Sequence, residues 1–297
     1  MGFCEKVKNK LQYEWMKRVW RHNENAAAKS VAWQTVATME QTLAVLQSGC
    51  SICRYGDGEY KVMSGMSNGF QREDPELASR LIQVLRSDVP GLMVCIPNIK
   101  EDMRLRTPEA VGFWQWFIRE YGAEFASMLD EKKQYYNAHV TRLYMDYQGC
   151  GRSREWFDAL KRVWQGKRLL IVEGANTRLG VGNDLFSGAI EVRRVLCPGK
   201  SAFAQYDEIL KTVQSVWDGE LVLIALGQTA TVLAHDLHCL GIRALDIGHI
   251  DIEYEWFLAG AKEKTAVAGK FVKEVDNQQD AEEDPVYLQQ IVARVGV

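Results

Sequence analysis

Four largely apolar segments recur in the second half of the chain, and their alternation with helical segments constrains the fold more than any other feature. Each segment has the length of a strand: 168–172, 192–196, 221–226 and 244–247. Amphipathic segments of helical length accompany them: 154–165, 203–217 and 229–240. Apolar strands that alternate with helices are typical of a parallel sheet covered by helices on both faces. The sequence therefore predicts an α/β fold with a mostly parallel sheet and helices on both faces.

The first half of the chain adds elements of the same kinds. Strands are predicted at 52–55 and 92–96, and two helices are predicted to open at Pro75 and Pro108. Residues 132–150 mix Tyr, His and Arg without a clear period, which indicates a strand and loops over a cleft.

Composition and charge exclude several classes of protein. The 297 residues are 47% apolar, enough for one large domain or two small ones. The formal charge is −3, from 36 Lys and Arg against 39 Asp and Glu, so we expect no nucleic-acid partner, since phosphate binding leaves a clustered basic footprint. No apolar run reaches the roughly 18 residues of a transmembrane helix, and residues 1–8 lack the apolar core of a signal peptide. We therefore expect a cytoplasmic protein without a transmembrane segment.

The most informative motif is the segment 54–59, Arg-Tyr-Gly-Asp-Gly-Glu. Asp57 and Glu59 lie one residue apart between glycines, directly after a short apolar run. Carboxylates on a strand-end loop can hold a divalent cation through oxygen ligands. Glycine lets the backbone turn sharply and lets a phosphate approach closely. An ordinary turn without a ligand has the same composition.

A second polar loop follows the predicted strand at 168–172, and in such sheets ligands bind beyond the carboxyl ends of the strands. Its candidate binding residues are Thr177, Arg178, Gly180, Gly182, Asn183 and Asp184. Arg178 can pair with phosphate oxygens as a bidentate fork, and Gly180 and Gly182 allow a ligand close to the backbone. The amide and carboxylate that follow suit helix capping or a sugar or ribose hydroxyl. An ordinary surface loop rich in Asn and Gly has the same composition.

Two further strand ends carry candidate groups. After the strand at 221–226, Gly227 precedes a helix that starts at Thr229; its free N–H groups form a ready anion site, although Thr also serves as an ordinary N-cap. After the last strand, His249 and Asp251 lie close together, and such groups act as general bases or metal ligands. A buried histidine beside exposed acids fits the same stretch.

These motifs occur in one order along the chain, and together they resemble the GT-D-type glycosyltransferases, formerly a domain of unknown function. Members of that family act on streptococcal serine-rich repeat adhesins and other bacterial surface glycans. The resemblance covers about residues 35–262 and rests on segments 54–59, 177–186, 226–231 and 246–256. The sequence departs from it at Gln228, where we expect proline.

The resemblance implies a Rossmann-like fold, a UDP-sugar donor and a glycan or glycoprotein acceptor. It also implies a DxE motif formed by Asp57 and Glu59, which would hold Mn²⁺ or Mg²⁺, with Arg54 and Gly56 beside the donor. An inverting reaction needs a base, for which His249 or Asp251 is the candidate; in a retaining reaction the departing phosphate oxygen serves instead. Aromatic residues that either stack on sugar rings or belong to the core are Trp114, Trp116, Tyr135, Tyr136, Tyr144 and Tyr147.

Three other functions stay open at this point. A nucleotide-sugar hydrolase or phosphotransferase would use the same metal–diphosphate site. A non-catalytic nucleotide-binding subunit of a glycosyltransferase complex would need no intact carboxylate pair. A Rossmann methyltransferase would bind an adenosyl cofactor without metal.

The domain organisation follows from the extent of the resemblance. Residues 1–34 are predicted to be a basic helical extension, either packed on the domain or in peripheral contact with an anionic membrane surface. Residues 35–274 form the glycosyltransferase-like domain. Residues 275–297 are predicted to be an acidic linker followed by a short helix at 286–295. The oligomeric state is left open by the sequence.

Overall fold

The computed structural model describes residues 33–101, 105–147, 151–272, 275 and 284–297. Its strands are β1 Ser51–Arg54, β2 Leu92–Ile96, β3 Tyr136–Asn137, β4 Arg168–Gly174, β5 Glu191–Cys197, β6 Leu221–Ala225, β7 Ala244–Asp246 and β8 Ile291–Arg294. They form one sheet in the order β3-β2-β1-β7-β6-β4-β5-β8. Neighbouring strands in this sheet are paired in parallel. The predicted parallel α/β fold is confirmed.

Helices connect these strands. Their bounds are α1 Met39–Gln47, α2 Asp57–Met63, α3 Pro75–Arg86, α4 Pro108–Met128, α5 Gly151–Trp164, α6 Tyr206–Val216, α7 Gln228–Cys239, α8 Ile250–Ala259 and α9 Pro285–Gln290. The predicted starts at Pro75 and Pro108 are confirmed, since proline lacks the N–H that the first helical turn leaves unpaired. Asp74 caps α3 by accepting the N–H groups of Glu76 and Leu77.

Each face of the sheet carries its own apolar core, because successive side chains of a strand point to opposite faces. Cys53 and Ile224 belong to one core, which α2, α3, α4, α6 and α7 cover. Ile52 and Leu223, their neighbours in β1 and β6, belong to the other core, which α1, α5 and α8 cover. This three-layer arrangement explains why the central strands are apolar without alternation.

Strand order reverses at the junction of β1 and β7. From β1 the chain continues to β2 and β3 on one side, whereas β4 to β7 lie on the other side. In open parallel sheets, ligands bind beyond the carboxyl ends of the strands at such a switch point. The fold therefore places the ends of β1 and β7, at Arg54 and Asp246, beside the expected site.

The C-terminal segment differs from the prediction. The sequence predicts a helix over 286–295, but α9 ends at Gln290 and residues 291–294 form β8 beside β5. Periodicity cannot separate a short helix from a strand in so short an apolar run. The segment therefore joins the sheet of the main domain. Residues 1–32 of the predicted helical extension at 1–34, and residues 276–283 of the predicted acidic linker, lie outside the described residues.

Within the described residues, none of the helices combines the length and apolarity that a bilayer crossing requires.

Docking of the C-terminal segment can be tested at Tyr287, which is 7% exposed, with Val286, 64% exposed, as its matched control. The Tyr287 ring lies under two guanidinium groups, with its centroid 5.1 Å from Arg178 and 4.9 Å from Arg194. Tyr287→Ala is expected to lower the free energy of unfolding by about 3 kcal/mol, and Val286→Ala by less than about 0.5 kcal/mol. Urea unfolding of both variants measures the difference; equal effects would show that this segment contributes no packing.

Candidate active site

A cavity of about 940 Å³ opens at the carboxyl edge of the sheet. Its wall is built from residues that follow several strands and from the N-terminal part of α4. The volume lies at the upper end of the range for ligand sites in proteins, about 300–1,000 Å³. The cavity is therefore large enough for an extended ligand.

An ion pair joins the two strands at the switch point. Arg54, at the end of β1, donates from Nη2 to Oδ1 of Asp246 at 2.8 Å and from Nε to its carbonyl oxygen at 2.7 Å. Thr231 on α7 donates to the carbonyl of Arg54 at 3.0 Å. Burial raises the pKa of Asp246, and the charge of Arg54 opposes that rise. The pair fixes a guanidinium group and a carboxylate in the cavity wall.

Gly248 makes room for this ion pair. Its φ is +43°, and a Cβ at this position would lie 2.1 Å from Nη2 of Arg54. A side chain at residue 248 would displace the guanidinium group from Asp246. Two features therefore require glycine at this position: the positive φ and the close approach of the Arg54 guanidinium group.

The DxE segment is not the loop that the sequence predicts, because Asp57 and Glu59 lie in the first turn of α2. Glu59 accepts the N–H of Gly56 through Oε2 at 2.8 Å, which caps the helix. Asp57 pairs with Lys61 one turn later, at 2.8 Å. Carboxylates are favoured at a helix N-terminus, and a Glu three residues after the cap is a helix-start signal that would have identified α2.

Both carboxylates of the DxE segment line the cavity, and their geometry limits how they can hold a metal. Side chains two residues apart on a helix do not face each other. No group of three or more His, Cys, Asp or Glu with metal-binding geometry occurs among the described residues. Mg²⁺ and similar cations are often bound by one or two carboxylates together with phosphate oxygens. Asp57 and Glu59 fit such a shared site and do not form a protein cage.

His249 and Asp251 lie at the start of α8 and line the cavity. Asp251 is 2% exposed and accepts hydrogen bonds from Gly180 N–H at 2.9 Å and Lys270 Nζ at 2.7 Å. It also accepts one from Asn183 Nδ2 at 2.8 Å. Burial raises its pKa, and Lys270 opposes that rise. The alternative in which the acids of this stretch are exposed is therefore wrong for Asp251, which anchors the neighbouring loop.

Most of the predicted binding loop after β4 faces away from the cavity. Thr177 lines the cavity, whereas Arg178, Gly180, Gly182, Asn183 and Asp184 do not. The Arg178 guanidinium lies over the Tyr287 ring. Asp184 pairs with Lys161 at 2.6 Å and accepts from Tyr254 at 2.7 Å. These side chains fix the loop to α5, α8 and α9.

The turn before α7 contributes backbone to the site. Gly227, with φ +55°, lines the cavity together with Gln228. Thr229, also predicted to bind ligand, is fully buried and does not line the cavity. The Gln228 amide packs on the DxE segment, since a Cβ on Gly58 would meet its Nε2 at 2.4 Å. The N-terminal end of α7 therefore adjoins the carboxylates of α2.

The structure adds wall residues that the sequence analysis missed. They are Phe70, Phe113, His139, Arg142, Asp146 and Phe271. Phe70 and Phe271, far apart in the chain, form an edge-to-face pair at 5.6 Å. Of the six aromatic residues proposed to stack on sugars, Trp114 lines the cavity and the other five do not. The missed polar groups follow β3, a strand of two residues, which is too short to give a sequence signal.

Charge in the cavity wall is unbalanced. The described wall holds four basic side chains: Arg54, Arg142, Lys262 and Lys264. It holds seven carboxylates: Asp57, Glu59, Glu109, Asp146, Asp246, Asp251 and Glu263. Among the wall residues the formal excess is three negative charges when both histidines are neutral, and it falls to one when Lys61 and Lys270, which pair with Asp57 and Asp251, are counted as well. An anionic ligand would meet repulsion here unless a cation accompanied it.

Glu253 holds one wall of the cavity in place. It is fully buried, and its Oε2 accepts the N–H groups of Tyr144 at 3.0 Å and Met145 at 2.9 Å. Burial raises its pKa to about 7, and the charge of Arg142 opposes that rise. The carboxyl therefore links α8 to the segment that carries Arg142 and Asp146.

Comparison with known proteins places the chain in a family. The pattern of the glycosyltransferase GT-D fold matches residues 52–275, and the chain belongs to that family. It is 37% identical over 265 residues to a probable glycosyl transferase Gly of Streptococcus gordonii. It is also 37% identical over 264 residues to glycosyltransferase GlyD of Streptococcus pneumoniae serotype 4. Each alignment covers 88% of this chain, which spans 39% and 32% of the length of those relatives.

Solved structures agree with this placement. A structure of the domain of unknown function 1792, described as a distinct glycosyltransferase fold, has a TM-score of 0.87 at 38% identity and covers 92% of this chain and 100% of that one. A glycosyltransferase with the same domain from Streptococcus sanguinis has a TM-score of 0.82 at 38% identity, with 88% and 99% covered.

The role of Gly248 can be separated from ordinary backbone strain. Gly241 has φ +80° with open space around its Cβ position, so Gly241→Ala is the matched control. Gly241→Ala is expected to lower the free energy of unfolding by about 1–2 kcal/mol, because residue 241 has a left-handed backbone conformation. Gly248→Ala is expected to cost about 2 kcal/mol more, because it also displaces Arg54 from a buried ion pair. If both variants lower the free energy of unfolding equally, a Cβ at residue 248 does not crowd the Arg54 guanidinium group.

The raised pKa of Glu253 predicts that the stability of the protein depends on pH. A carboxyl with a raised folded-state pKa binds its proton more tightly when folded, so the stability it contributes is lost as the pH rises from about 4.3 to about 7. Glu253→Gln is expected to flatten the urea-unfolding profile between pH 5 and 7. Glu155 is exposed, and the unfolding profile of Glu155→Gln is expected to run parallel to that of the parent protein. A parallel profile for Glu253→Gln would contradict this assignment.

Proposed function

We propose that this chain is a metal-dependent glycosyltransferase that moves a sugar from a UDP-sugar donor to a glycan or glycoprotein acceptor in bacterial surface glycan assembly. The observation that carries the proposal is the anionic cavity at the switch point, whose wall contains the carboxylates of Asp57 and Glu59 and the guanidinium group of Arg54. A diphosphate is itself anionic, so an anionic site accommodates it only with a cation. Membership of the GT-D family supports the same reading.

The donor would lie across the carboxyl edge of the sheet. Phe70 and Phe271 offer an aromatic pair for the base near the ends of β4 and β6, since bases stack on aromatic side chains. The N-terminal end of α7, which reaches the cavity at Gly227 and Gln228, and the Arg54 guanidinium would hold the diphosphate oxygens.

The bound metal would neutralise the diphosphate as UDP leaves, and Asp57 and Glu59 are the residues that would hold it. Glu59 keeps its position through the hydrogen bond with Gly56 N–H. Asp57 pairs with Lys61, and both side chains are about one-third exposed, 33% and 30%. This ion pair is exposed enough to open at low cost.

If the reaction inverts configuration, a base must take the proton of the acceptor hydroxyl, and His249 is a better candidate for that base than Asp251. Both groups line the cavity, but the carboxylate oxygens of Asp251 already accept from Gly180, Asn183 and Lys270. A base must have a lone pair within reach of the proton that it takes. In a retaining reaction, the departing phosphate oxygen would take the proton, and His249 would be dispensable.

The proposal can be tested by transfer of radiolabelled sugar from UDP-glucose, UDP-galactose and UDP-N-acetylglucosamine to bacterial surface glycans in the presence of Mn²⁺. Asp57→Asn is expected to lower transfer by about 100-fold, or about 3 kcal/mol of transition-state stabilisation, without changing the fold. Glu76→Gln removes an exposed first-turn acid of α3 outside the cavity and is expected to match the parent protein.

Product analysis completes the test. A glycoside is the expected product, and free sugar would identify a hydrolase. Full activity of Asp57→Asn would contradict the proposed role of the DxE carboxylates.

A further inference from the structure

One face of the first turns of α4 forms a wall of the cavity. Thr107, the N-cap of α4, lines the cavity together with Glu109, Ala110 and Phe113. Phe113 follows Glu109 by four residues and Ala110 by three, and residues at these spacings are neighbours on one face of a helix. Phe113 is half-buried and Glu109 is exposed. This face therefore presents an aromatic ring to the cavity and, one turn earlier, a carboxylate.

Phe113 offers the accessible aromatic ring of this wall. Trp114 also lines the cavity, but it is 8% exposed and packs edge-to-face on Phe117 at 5.6 Å and on His139 at 5.2 Å. Trp116 is half-buried and does not line the cavity. The Phe113 ring contacts both tryptophans, with centroid distances of 5.1 Å and 6.0 Å. These contacts support the ring from within α4.

The α4 wall and the Phe70–Phe271 pair lie on opposite sides of the DxE carboxylates. Thr107 donates its N–H to the carbonyl of Asp146 at 3.1 Å, which joins the start of α4 to the segment after β3. Phe271 donates its N–H to the carbonyl of Asn176 at 3.0 Å, just after β4. Five strand steps of about 4.8 Å separate β3 from β4, and β1, which leads into the DxE segment, lies between them.

This arrangement leaves the α4 side of the cavity to a second substrate. In the proposed function, the base of the donor lies at the aromatic pair and the diphosphate lies at the DxE carboxylates. Transfer also requires the acceptor hydroxyl within about 3–3.5 Å of the anomeric carbon, so both substrates must occupy the cavity together. The space beyond the diphosphate, beside α4, is where an acceptor can reach the donor sugar.

Charge on this side of the cavity suits an uncharged ligand. Two basic wall residues are already paired: Lys264 Nζ lies 3.7 Å from Oδ1 of Asp146, and Arg142 Nη1 lies 3.6 Å from Oε1 of Glu253. Glu109 adds a negative charge, which the first turn of a helix favours. A phosphate or carboxylate group would be repelled by it, whereas hydroxyl groups can donate hydrogen bonds to its oxygens.

We propose that Phe113 and Glu109 form the acceptor subsite, in which the ring stacks on the face of an uncharged pyranose and the carboxylate accepts a hydrogen bond from one of its hydroxyl groups. The assignment rests on the proposed function. A pyranose carries C–H groups on its faces and hydroxyl groups around its rim. An aromatic ring and a carboxylate one helical turn apart match both kinds of surface. The protein would therefore recognise its acceptor through a sugar ring.

Four substitutions on α4 and one conservative variant separate this role from a structural one. Phe113→Ala removes the ring, and Phe113→Tyr keeps it. Trp116→Ala is the matched control, because it removes a half-buried aromatic side chain of the same helix that does not line the cavity. Glu109→Gln removes the charge of the subsite. Its control is Glu120→Gln, at an exposed acid of α4 outside the cavity.

The readout is the concentration of each substrate at half-maximal transfer. Radiolabelled sugar is transferred with Mn²⁺ from the active UDP-sugar to the surface-glycan preparation, and donor and acceptor are varied in turn. Phe113→Ala is expected to need about 10-fold more acceptor, and Glu109→Gln about 5-fold more, with the donor requirement unchanged. Phe113→Tyr, Trp116→Ala and Glu120→Gln are expected to match the parent protein.

Several results would overturn the proposal. They are an unchanged acceptor requirement in Phe113→Ala, an equal rise in Trp116→Ala, and a rise in the donor requirement in place of the acceptor requirement. Glu109 is exposed, so Glu109→Gln decides the matter if Phe113→Ala does not fold. A parent protein that transfers no sugar would instead contradict the proposed function.

Protease digestion of the acceptor preparation tests recognition of the sugar itself. The parent protein is expected to transfer to the digested glycans with the same half-maximal concentration, expressed as sugar. Loss of transfer after digestion would show that the polypeptide is recognised and would overturn the assignment of the subsite to a pyranose.

Discussion

The ion pair between Arg54 and Asp246 is the interaction on which the site depends. The two residues end adjacent strands from the two halves of the sheet. Both side chains are largely buried, 15% and 4% exposed, and breaking such a pair by removing one partner costs about 3–5 kcal/mol. Gly248 leaves space for the guanidinium group. The pair thus fixes the spacing of the two strand ends that precede the DxE carboxylates of α2 and His249 at the start of α8.

Around this pair the protein keeps more negative than positive charge in one cavity. Burial raises the pKa of Glu59 and of Asp246, and the charge of Asp246 adds to the rise at Glu59. Each carboxylate would gain from a cation nearby. A divalent cation with a diphosphate would relieve this repulsion and would itself be retained by the charge. Under the proposed function, the same electrostatic imbalance would favour the cation and would make binding of an anionic donor conditional on it.

The sequence predicts the sheet better than the site. Buried central strands such as 168–174 must be apolar on both sides, and this requirement is visible in the sequence. The tail at 291–294 pairs with β5, and a run of four residues carries too little periodicity to predict that contact. The role of Arg178 depends on Tyr287, more than 100 residues away. No local pattern reports such a contact. His139 was missed because the two-residue strand before it leaves no signal.

Metal-dependent nucleotide binding at the DxE carboxylates follows from this arrangement of charges, and calorimetric titration measures it. UDP is titrated into the protein with and without Mn²⁺, and the titration is repeated with Glu59→Gln. Binding of UDP is expected to require Mn²⁺ and to weaken at least about 10-fold in the variant, since removing a charged ligand loses about 1.5–3 kcal/mol. Binding that is indifferent to both the metal and Glu59 would contradict it and would leave the DxE segment with a helix-capping role alone.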